Sequence, residues 1–422
     1  MERIVISGGT PLYGEVLISG AKNAALPVLV STLLTSGEST ITNIPQLQDV
    51  VTISKILKLL GVEIVYKDRN SALLDTSGIS PCRVPYELVK TMRASVLVLG
   101  PLVARFGTAE VSLPGGCAIG ARPINLHLKG LKKLGVSIEL IRGYVKARCK
   151  KLHGGHIVLD FPTVTGTENL MMAAALIEDE TIIDNAAREP EVEDLAEVIK
   201  KMGASVEGAG TDRIIIYGNS SLKPFSHRII SDRIEAGTFM VATAITGGKV
   251  LIKNCPSEIF TSVSEKLEEA GVAITPLSCE VTEIERKDGE KILPLDINTA
   301  PFPGFPTDMQ AQFMALLSLA EGISLIRETV FENRFMHVQE LMRMGADIEV
   351  DGHTAVIKGV DYLDGAPVMA TDLRASACLV LAGLAARGET IVSRIYHLDR
   401  GYERIEEKFS KLGATIRRDR EI

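Results

Sequence analysis

The chain has 422 residues, of which 46% are hydrophobic and 23% charged, so it can form two or three globular domains and is not a disordered protein. A formal net charge of −7 argues against a general nucleic-acid binder, because such proteins usually carry a basic surplus. The six cysteines form no C-x-x-C pair, and the longest apolar runs are shorter than the roughly 18 residues that span a bilayer. We therefore expect a cytoplasmic protein with free thiols, no membrane span, no metal site and no cofactor.

An internal repeat organises the chain. The end of an amphipathic helix, then a glycine, then a strand occurs six times, with the glycines 68 or 74 residues apart. Each of the last three glycines lies 210 residues after one of the first three, so the chain consists of two copies of three units. A glycine at a helix end supplies the positive φ angle that stops the helix. The six are Gly61, Gly135, Gly203, Gly271, Gly345 and Gly413.

Each unit also contains a second helix that is rich in alanine and apolar on nearly all sides, which is typical of a buried helix. Several of these helices start near a residue that can cap them, namely Thr167, Asp232, Asp308 or Asp372. The predicted buried helices are Ala21–Thr35, Thr91–Phe106, Thr167–Ile177, Asp232–Thr246, Asp308–Ala320 and Asp372–Arg387.

After each glycine, apolar and polar residues alternate as in a half-buried strand, and a second strand often follows, as at Arg213–Tyr217 and Thr354–Lys358. These patterns predict an α/β fold with two domains of three βαβαββ repeats each, in which buried helices are surrounded by sheet. We expect the boundary near residues 225–232 and a ligand site in the cleft between the domains.

One glycine-rich segment, LPGGCAIGARP at residues 113–123, places Cys117 among three glycines and Arg122 five residues later. A turn with a buried cysteine is one interpretation of this pattern. The other is a lid loop that carries a reactive thiol, because glycines at this density do not suit a buried core segment and functional residues concentrate on loops.

Cations recur at the starts of the buried helices and in the loops before the exposed ones. A cation at a helix start is unfavourable for the helix dipole, but it suits a site where the side chain and the helix N-terminus share an anionic ligand. Asp308 is the carboxylate expected to face this site, although a helix N-cap explains it equally well. The predicted anion pocket consists of Lys22, Arg93, Arg122, Arg334, Arg374 and Arg400.

Seven motifs in order along the chain resemble the UDP-N-acetylglucosamine enolpyruvyl transferase family. The resemblance implies two inside-out α/β barrel domains, each a threefold prism of three repeats. It assigns residues 21–229 to the first domain, with the lid loop 113–123, and residues 1–20 plus 230–422 to the second. The motifs are AKNAALP from Ala21, LPGGCAIGARP from Leu113, NAAREPE from Asn185, FPTDMQAQ from Phe305, FENRFMHV from Phe331, TDLRASA from Thr371 and HLDRGYERI from His397.

The resemblance also implies a reaction. The enolpyruvyl group of phosphoenolpyruvate moves to the 3-hydroxyl of UDP-N-acetylglucosamine by addition and elimination, in the first committed step of peptidoglycan synthesis. Cys117 would be the proton donor, would form a covalent adduct, and would be alkylated by the phosphoenolpyruvate mimic fosfomycin. Asp308 would be the base. The substrates are small molecules, with no nucleic acid or membrane involved, and the enzyme would be a monomer or weak homo-oligomer.

By the same resemblance, phosphoenolpyruvate is held by Lys22, Arg122, Arg334, Arg374 and Arg400. The UDP-sugar site is lined by Asn23, Arg93, Pro123, Ile124, Asn125, Leu126, Thr163, Val164 and Val330. The family motif usually has Asp at the position of Asn125, which affects one side-chain contact to the nucleotide.

Two alternatives remain, a sister enzyme and a protein of another functional class. One is an enzyme like 5-enolpyruvylshikimate-3-phosphate synthase, which shares the fold but lacks the lid cysteine. The other is a repeat protein that binds nucleotide sugars without catalysis. Phosphate release in the presence of both substrates separates the transferase from the silent binder.

Overall fold

The computed structural model describes residues 2–90, 92–114 and 124–420. Its strands, numbered in chain order, are β1 (Glu2–Ser7), β2 (Leu12–Leu17), β3 (Glu38–Thr42), β4 (Glu63–Tyr66), β5 (Ala72–Asp75), β6 (Arg83–Val84), β7 (Thr108–Ser112), β8 (Ser137–Ile141), β9 (Tyr144–Arg148), β10 (Gly155–Val158), β11 (Glu180–Asp184), β12 (Ser205–Glu207), β13 (Arg213–Tyr217), β14 (Ser226–Arg228), β15 (Gly248–Lys253), β16 (Ala273–Ser278), β17 (Val281–Arg286), β18 (Asp296–Asn298), β19 (Ile323–Arg327), β20 (Asp347–Asp351), β21 (Thr354–Lys358), β22 (Pro367–Met369), β23 (Glu389–Ser393) and β24 (Thr415–Arg420).

The α-helices are α1 (Lys22–Ser31), α2 (Gln48–Leu59), α3 (Tyr86–Val89), α4 (Leu99–Phe106), α5 (Asn125–Lys133), α6 (Val164–Ala174), α7 (Pro190–Met202), α8 (Arg233–Thr246), α9 (Thr261–Glu269), α10 (Gln310–Leu317), α11 (Val338–Arg343), α12 (Leu373–Ala385) and α13 (Ile405–Lys411). Short 3₁₀ helices cover Thr32–Leu34, Arg93–Val98, Ser257–Phe260, Thr307–Met309 and Ile395–Arg400.

The strands of the described ranges form six separate four-stranded sheets, one for each repeat, and none of them closes into a barrel. In every sheet the first two strands are parallel and the remaining pairs antiparallel. In spatial order the sheets are β14-β3-β5-β4, β6-β7-β9-β8, β10-β11-β13-β12, β2-β15-β17-β16, β18-β19-β21-β20 and β22-β23-β1-β24.

The chain divides into two compact units. One contains the described residues between 20 and 230, and the other contains residues 2–19 and 231–420. Strands β1 and β2 belong to the second unit because β1 pairs with β23 and β24, and β2 pairs with β15. None of the helices in the described ranges is long and apolar enough to cross a membrane.

The buried helices lie at the centre of each unit, as the alanine-rich pattern predicts. Nearly every residue of α6, α8, α10 and α12 is buried. The six repeat glycines are confirmed as helix terminators, because their φ angles lie between 91° and 109°. Helices that are apolar on all sides gain stability mainly from burial, and the surrounding sheets provide it.

The predicted helix caps have different outcomes. Asp232 and Asp372 are confirmed as N-caps, since each carboxylate accepts two backbone N–H bonds from the first turn. The prediction for Thr167 is wrong: α6 begins three residues earlier, with Thr163 as its cap, and Thr167 accepts the N–H of Ala187 at 3.0 Å. Asp308 occupies no cap position, because Pro306 precedes its 3₁₀ turn.

Gly100 in α4 provides a test of how closely the central helices pack. A Cβ atom at this position would lie 2.2 Å from the side-chain oxygen of Asn169 in α6 and 2.5 Å from its carbonyl oxygen. We expect Gly100→Ala to lower the free energy of unfolding by about 1–3 kcal/mol, as overpacking typically does. Chemical denaturation measures it. Gly78→Ala is the control, because its Cβ would meet nothing nearer than 3.6 Å; equal effects in the two variants would contradict the packing argument.

Candidate active site

Asp308 lies between two buried arginines in the unit that contains residues 231–420. Its Oδ1 accepts a hydrogen bond from Arg334 Nη2 at 2.7 Å, and its Oδ2 accepts one from Arg374 Nη2 at 2.8 Å. Both arginine side chains are only 4% exposed, whereas the aspartate is 27% exposed. The carboxylate is therefore the solvent-facing member of a cationic cluster, and the cluster carries a net positive charge.

The backbone explains why these three side chains meet. Asp308 lies in the 3₁₀ turn that leads into α10, and Arg374 lies in the first turn of α12, which Asp372 caps. Arg334 follows β19 in a loop without regular structure. The starts of α10 and α12 and the loop after β19 thus meet at Asp308.

Arg374 stays charged despite its burial. Burial by itself lowers the pKa of the guanidinium, but the negative charge of Asp308, with smaller contributions from Tyr402 and Asp232, raises that pKa above its ordinary value. Its Nε and Nη1 are buried and have no hydrogen-bond partner among the described residues. A buried, charged guanidinium with such N–H groups is suited to bind an oxyanion.

Arg400 ends the 3₁₀ helix Ile395–Arg400, where it is partly buried. Burial, and after it the positive charge of Arg400, lower the pKa of His397. His337 is fully buried, and burial lowers its pKa to about 4 against the opposing influence of Asp372. Both histidines are therefore neutral near pH 7, which leaves the arginines as the cations of this cluster.

In the unit of residues 20–230, Lys22 and Asn23 form the start of α1. Lys22 Nζ lies 3.7 Å from Asp49 Oδ2, and Asp49 is in the first turn of α2. The structure thus pairs this lysine with a carboxylate that the sequence did not single out. Arg93 begins the 3₁₀ helix Arg93–Val98, as the anion-pocket hypothesis requires.

A neutral hydrogen-bond network supports the segment of Ile124, Asn125 and Leu126. His127 Nδ1 accepts a bond from Asn169 Nδ2 at 3.0 Å, and Asn169 also donates to the Val96 carbonyl at 3.1 Å. The Asn169 side-chain oxygen accepts the Gly100 N–H at 2.8 Å, which fixes the orientation of the amide. Burial, reinforced by the charge of Arg93, lowers the pKa of His127 to about 3.

The remaining predicted residues are placed as follows. Thr163 caps α6 and Val164 is its first residue, both partly buried. Val330 is exposed, and its N–H donates to Glu328 Oε1 at 2.8 Å. Cys117, Arg122 and Pro123 lie outside the described residues. Within those residues, no three His, Cys, Asp or Glu side chains are grouped to hold a metal ion.

The structure thus groups the predicted residues within each unit. Asp308, Arg334 and Arg374 are in direct contact, whereas Lys22 and Arg93 each begin a central helix of the other unit. Sequence reasoning missed Glu328, a buried carboxylate beside this cluster. Its signal was present, because three other repeats have asparagine at the corresponding position.

Comparisons with known proteins show which proteins this chain is similar to. A family model described as EPSP synthase (3-phosphoshikimate 1-carboxyvinyltransferase) matches residues 6–409. Proteins named UDP-N-acetylglucosamine 1-carboxyvinyltransferase from Geotalea uraniireducens (strain Rf4) and Myxococcus xanthus (strain DK1622) are each 58% identical, over 100% of this chain and 100% of theirs. The crystal structure of the enolpyruvyl transferase NikO from Streptomyces tendae is 26% identical with a TM-score of 0.88, over 99% of this chain and 98% of that one. EPSP synthase from Acinetobacter baumannii, at 19% identity, 100% coverage of both chains and a TM-score of 0.78, shows the shared fold alone.

The contacts of Asp308 predict a stability change. Asp308→Asn removes the negative charge between two buried arginines, so we expect the free energy of unfolding to fall by up to about 3 kcal/mol, the lower end of the range for breaking a buried ion pair. Thermal and denaturant unfolding measure it, with the exposed Asp347→Asn as the control. Unchanged stability in Asp308→Asn would contradict this prediction, because it would show that the charge of Asp308 contributes little to the folded state.

The buried histidines predict a pH dependence of stability. His127 has a pKa of about 3 in the folded chain against an ordinary value of 6.5, so between these values the unfolded chain binds a proton that the folded chain does not. The contribution of neutral His127 to the free energy of unfolding is therefore fully present above pH 6.5, and it is lost as the pH falls toward 3. His127→Asn should flatten this dependence, as measured by denaturant unfolding from pH 7 to 4. The exposed His353→Asn should leave the slope unchanged, and equal slopes in all three proteins would contradict the assignment.

Proposed function

Because the chain belongs to the enolpyruvyl transferase family, and within it to the UDP-N-acetylglucosamine 1-carboxyvinyltransferases, we propose that it transfers enolpyruvate from phosphoenolpyruvate to the 3-hydroxyl of UDP-N-acetylglucosamine and releases phosphate. This reaction is the first committed step of peptidoglycan synthesis. One observation of the site carries the proposal: two buried arginines hold a carboxylate at 2.7 Å and 2.8 Å, and one of them keeps two further buried N–H groups for an anion.

The charge of the donor substrate matches this cluster. Phosphoenolpyruvate has a carboxylate and a phosphate monoester, and the phosphate alone contributes about −1.5 to −2 charges near neutral pH. Arg334, Arg374 and Arg400 would hold these groups, together with Lys22 and Arg122. Positioning and charge stabilisation of this kind often account for the largest part of the catalysis of group transfer.

Asp308 is the proposed base. With no substrate bound, both of its oxygens accept hydrogen bonds from arginines, which makes it a weak proton acceptor. An anion that binds to the remaining N–H groups of Arg374 shares the positive charge of the arginines with Asp308, which weakens their hold on its carboxylate and makes one oxygen available. That oxygen then takes the proton of the sugar 3-hydroxyl as the hydroxyl oxygen attacks C2 of phosphoenolpyruvate.

Cys117 is the proposed acid. Its thiol proton goes to the methylene carbon of phosphoenolpyruvate while C2 gains the sugar oxygen, which gives a tetrahedral intermediate that still carries phosphate. Elimination then breaks the bond between C2 and the phosphate oxygen. A proton of the new methyl group returns to the Cys117 thiolate, and the departing phosphate takes the proton that Asp308 holds. An unperturbed thiol has a pKa of about 8.5, so it is mostly protonated near neutral pH and can donate.

The other unit would bind the nucleotide sugar. We propose that Asn23, Arg93, Pro123, Ile124, Asn125, Leu126, Thr163 and Val164 line this site, with Val330 from the second unit. The N-terminus of α6 supports the assignment, because the first turn of a helix of this length attracts anionic groups. We further propose a cytoplasmic enzyme, a monomer or weak homo-oligomer, with domains that divide at residues 20/21 and 229/230.

The acceptor distinguishes this proposal from its alternatives. We expect phosphate release from phosphoenolpyruvate with UDP-N-acetylglucosamine and none with shikimate 3-phosphate. Cys117→Ser should lose at least about 10²-fold in rate, as expected for the loss of a general acid. Fosfomycin should modify the wild-type peptide that contains Cys117, as shown by mass spectrometry.

The exposed Cys279→Ser is the matched control and should keep full turnover and full labelling at Cys117. Release with shikimate 3-phosphate would indicate a 5-enolpyruvylshikimate-3-phosphate synthase activity. Binding of the UDP-sugar without any release would indicate a non-catalytic nucleotide-sugar binder.

A further inference from the structure

The first residue after the second strand has the same structural role in three of the six sheets. In three repeats this residue is an asparagine with a positive φ angle: Asn43, Asn185 and Asn254. Each donates its side-chain amide to the backbone carbonyl just beyond the neighbouring parallel strand, at 2.8, 2.9 and 2.8 Å. This bond ties the two parallel strands together where they end.

The fifth repeat departs from this pattern. Glu328 follows β19 at the same position, and a carboxylate cannot donate that bond. The next residue performs the task instead, because Thr329 Oγ1 donates to the carbonyl of Thr299 at 2.5 Å and Thr299 is the residue just beyond β18. Glu328 is 1% exposed, so its charge does not contribute to the solubility of the surface. Its role must follow from the groups that its carboxylate contacts.

One carboxylate oxygen of Glu328 organises the turn that follows. Oε1 accepts the backbone N–H groups of Val330 at 2.8 Å and Phe331 at 3.1 Å, and also the hydroxyl of Thr299 at 3.0 Å. Val330 is a proposed contact of the UDP-sugar. This oxygen thus fixes the backbone on the acceptor side of the site.

The other oxygen reaches the donor side through a hydroxyl. Oε2 accepts the hydroxyl of Thr307 at 2.8 Å, and Thr307 Oγ1 in turn accepts a bond from Arg334 Nη1 at 2.9 Å. The hydroxyl proton of Thr307 points at Glu328, so a lone pair of the Thr307 oxygen is available to accept the bond from Arg334 Nη1. The same arginine uses Nη2 on Asp308 at 2.7 Å, so both ends of its guanidinium are fixed.

We propose that Glu328 is a positioning residue with two separable tasks: Oε1 shapes the acceptor turn, and Oε2 acts through Thr307 to orient Arg334 for phosphoenolpyruvate. The assignment rests on the proposed function for the identity of the two substrates. The relay through Thr307 touches only the donor side. The Oε1 contacts hold the backbone of the acceptor turn, although the ring of Phe331 in that turn also lies 5.0 Å from the Arg334 guanidinium carbon. Removal of the relay alone should therefore affect the KM for phosphoenolpyruvate and not that for the UDP-sugar.

The test removes the relay alone. Thr307→Val is nearly isosteric and deletes the hydroxyl, so we expect the KM for phosphoenolpyruvate to rise about 10-fold, as for the loss of a hydrogen bond to a charged group, with the KM for the UDP-sugar unchanged. Thr307→Ser restores the hydroxyl and should restore the KM. Thr282→Val is the matched control, because Thr282 is also buried and its hydroxyl has no hydrogen-bond partner among the described residues.

Glu328→Gln tests whether the two residues act as one device. If its amide oxygen keeps the backbone contacts, the NH₂ group faces Thr307 and offers no acceptor for the hydroxyl. We expect the same rise in the KM for phosphoenolpyruvate as in Thr307→Val, and no further rise in the double variant. Additive effects, or equal changes in both KM values for Thr307→Val, would overturn the relay.

A binding measurement without turnover separates this inference from the proposed function. Phosphoenolpyruvate should raise the unfolding temperature of the wild type and of Thr307→Ser more than that of Thr307→Val. A wild type that turns over but responds in the same way as Thr307→Val would refute the relay alone. A wild type that neither releases phosphate nor is stabilised by phosphoenolpyruvate would refute both.

Discussion

Two arginines that are almost fully buried need a negative charge beside them, and Asp308 supplies it to both. An unpaired guanidinium in the interior would cost several kcal/mol, so Asp308 stabilises the junction of the loop after β19 with the starts of α10 and α12. The carboxylate is more exposed than its partners, which makes it the member of the cluster that an incoming anion displaces. The same contact that stabilises the ligand-free unit thus sets the initial state for the proposed chemistry.

The repeat architecture explains where such a cluster can arise. Each buried helix starts where two parallel strands end, so the loops of a unit collect polar groups around the ends of its apolar centre. Three of the six repeats use one of these positions for structure, as Asn43, Asn185 and Asn254 show with nearly identical hydrogen bonds. In the fifth repeat Glu328 stands at this position, and its neighbour Thr329 forms the corresponding structural bond.

Two buried polar clusters, one in each unit, differ in charge. The network of His127 and Asn169 is neutral and has all of the Asn169 amide in hydrogen bonds, so it fixes backbone positions without adding charge. The cluster around Asp308 is charged and leaves N–H groups of Arg374 without a partner among the described residues. A small, highly charged ligand needs concentrated cations, and the cluster around Asp308 provides them.

The sequence by itself determined several features that depend on neighbouring residues. The six glycines end their helices with positive φ angles, β13 and β21 have the predicted bounds, and Asp232 and Asp372 cap the helices that they precede. These outcomes follow from local backbone sterics and from hydrogen bonds within one turn. The cations at the starts of the central helices were visible for the same reason, because helix starts can be recognised from periodicity.

Only the tertiary structure decided which strands pair and which side chains meet. In chain order β2 precedes α1 and β14 precedes α8, yet β2 pairs with β15 and β14 with β3, so two repeats receive their first strand from far along the chain. Threonine can cap a helix at position 163 or at position 167, so the local sequence does not choose between them. In the structure Thr163 caps α6, and Thr167 instead accepts a hydrogen bond from the distant residue Ala187. Asp308 contacts arginines 26 and 66 residues away, and no local rule distinguishes that contact from a helix cap. Periodicity encodes each element, but the contacts between distant elements depend on how their apolar faces are buried together.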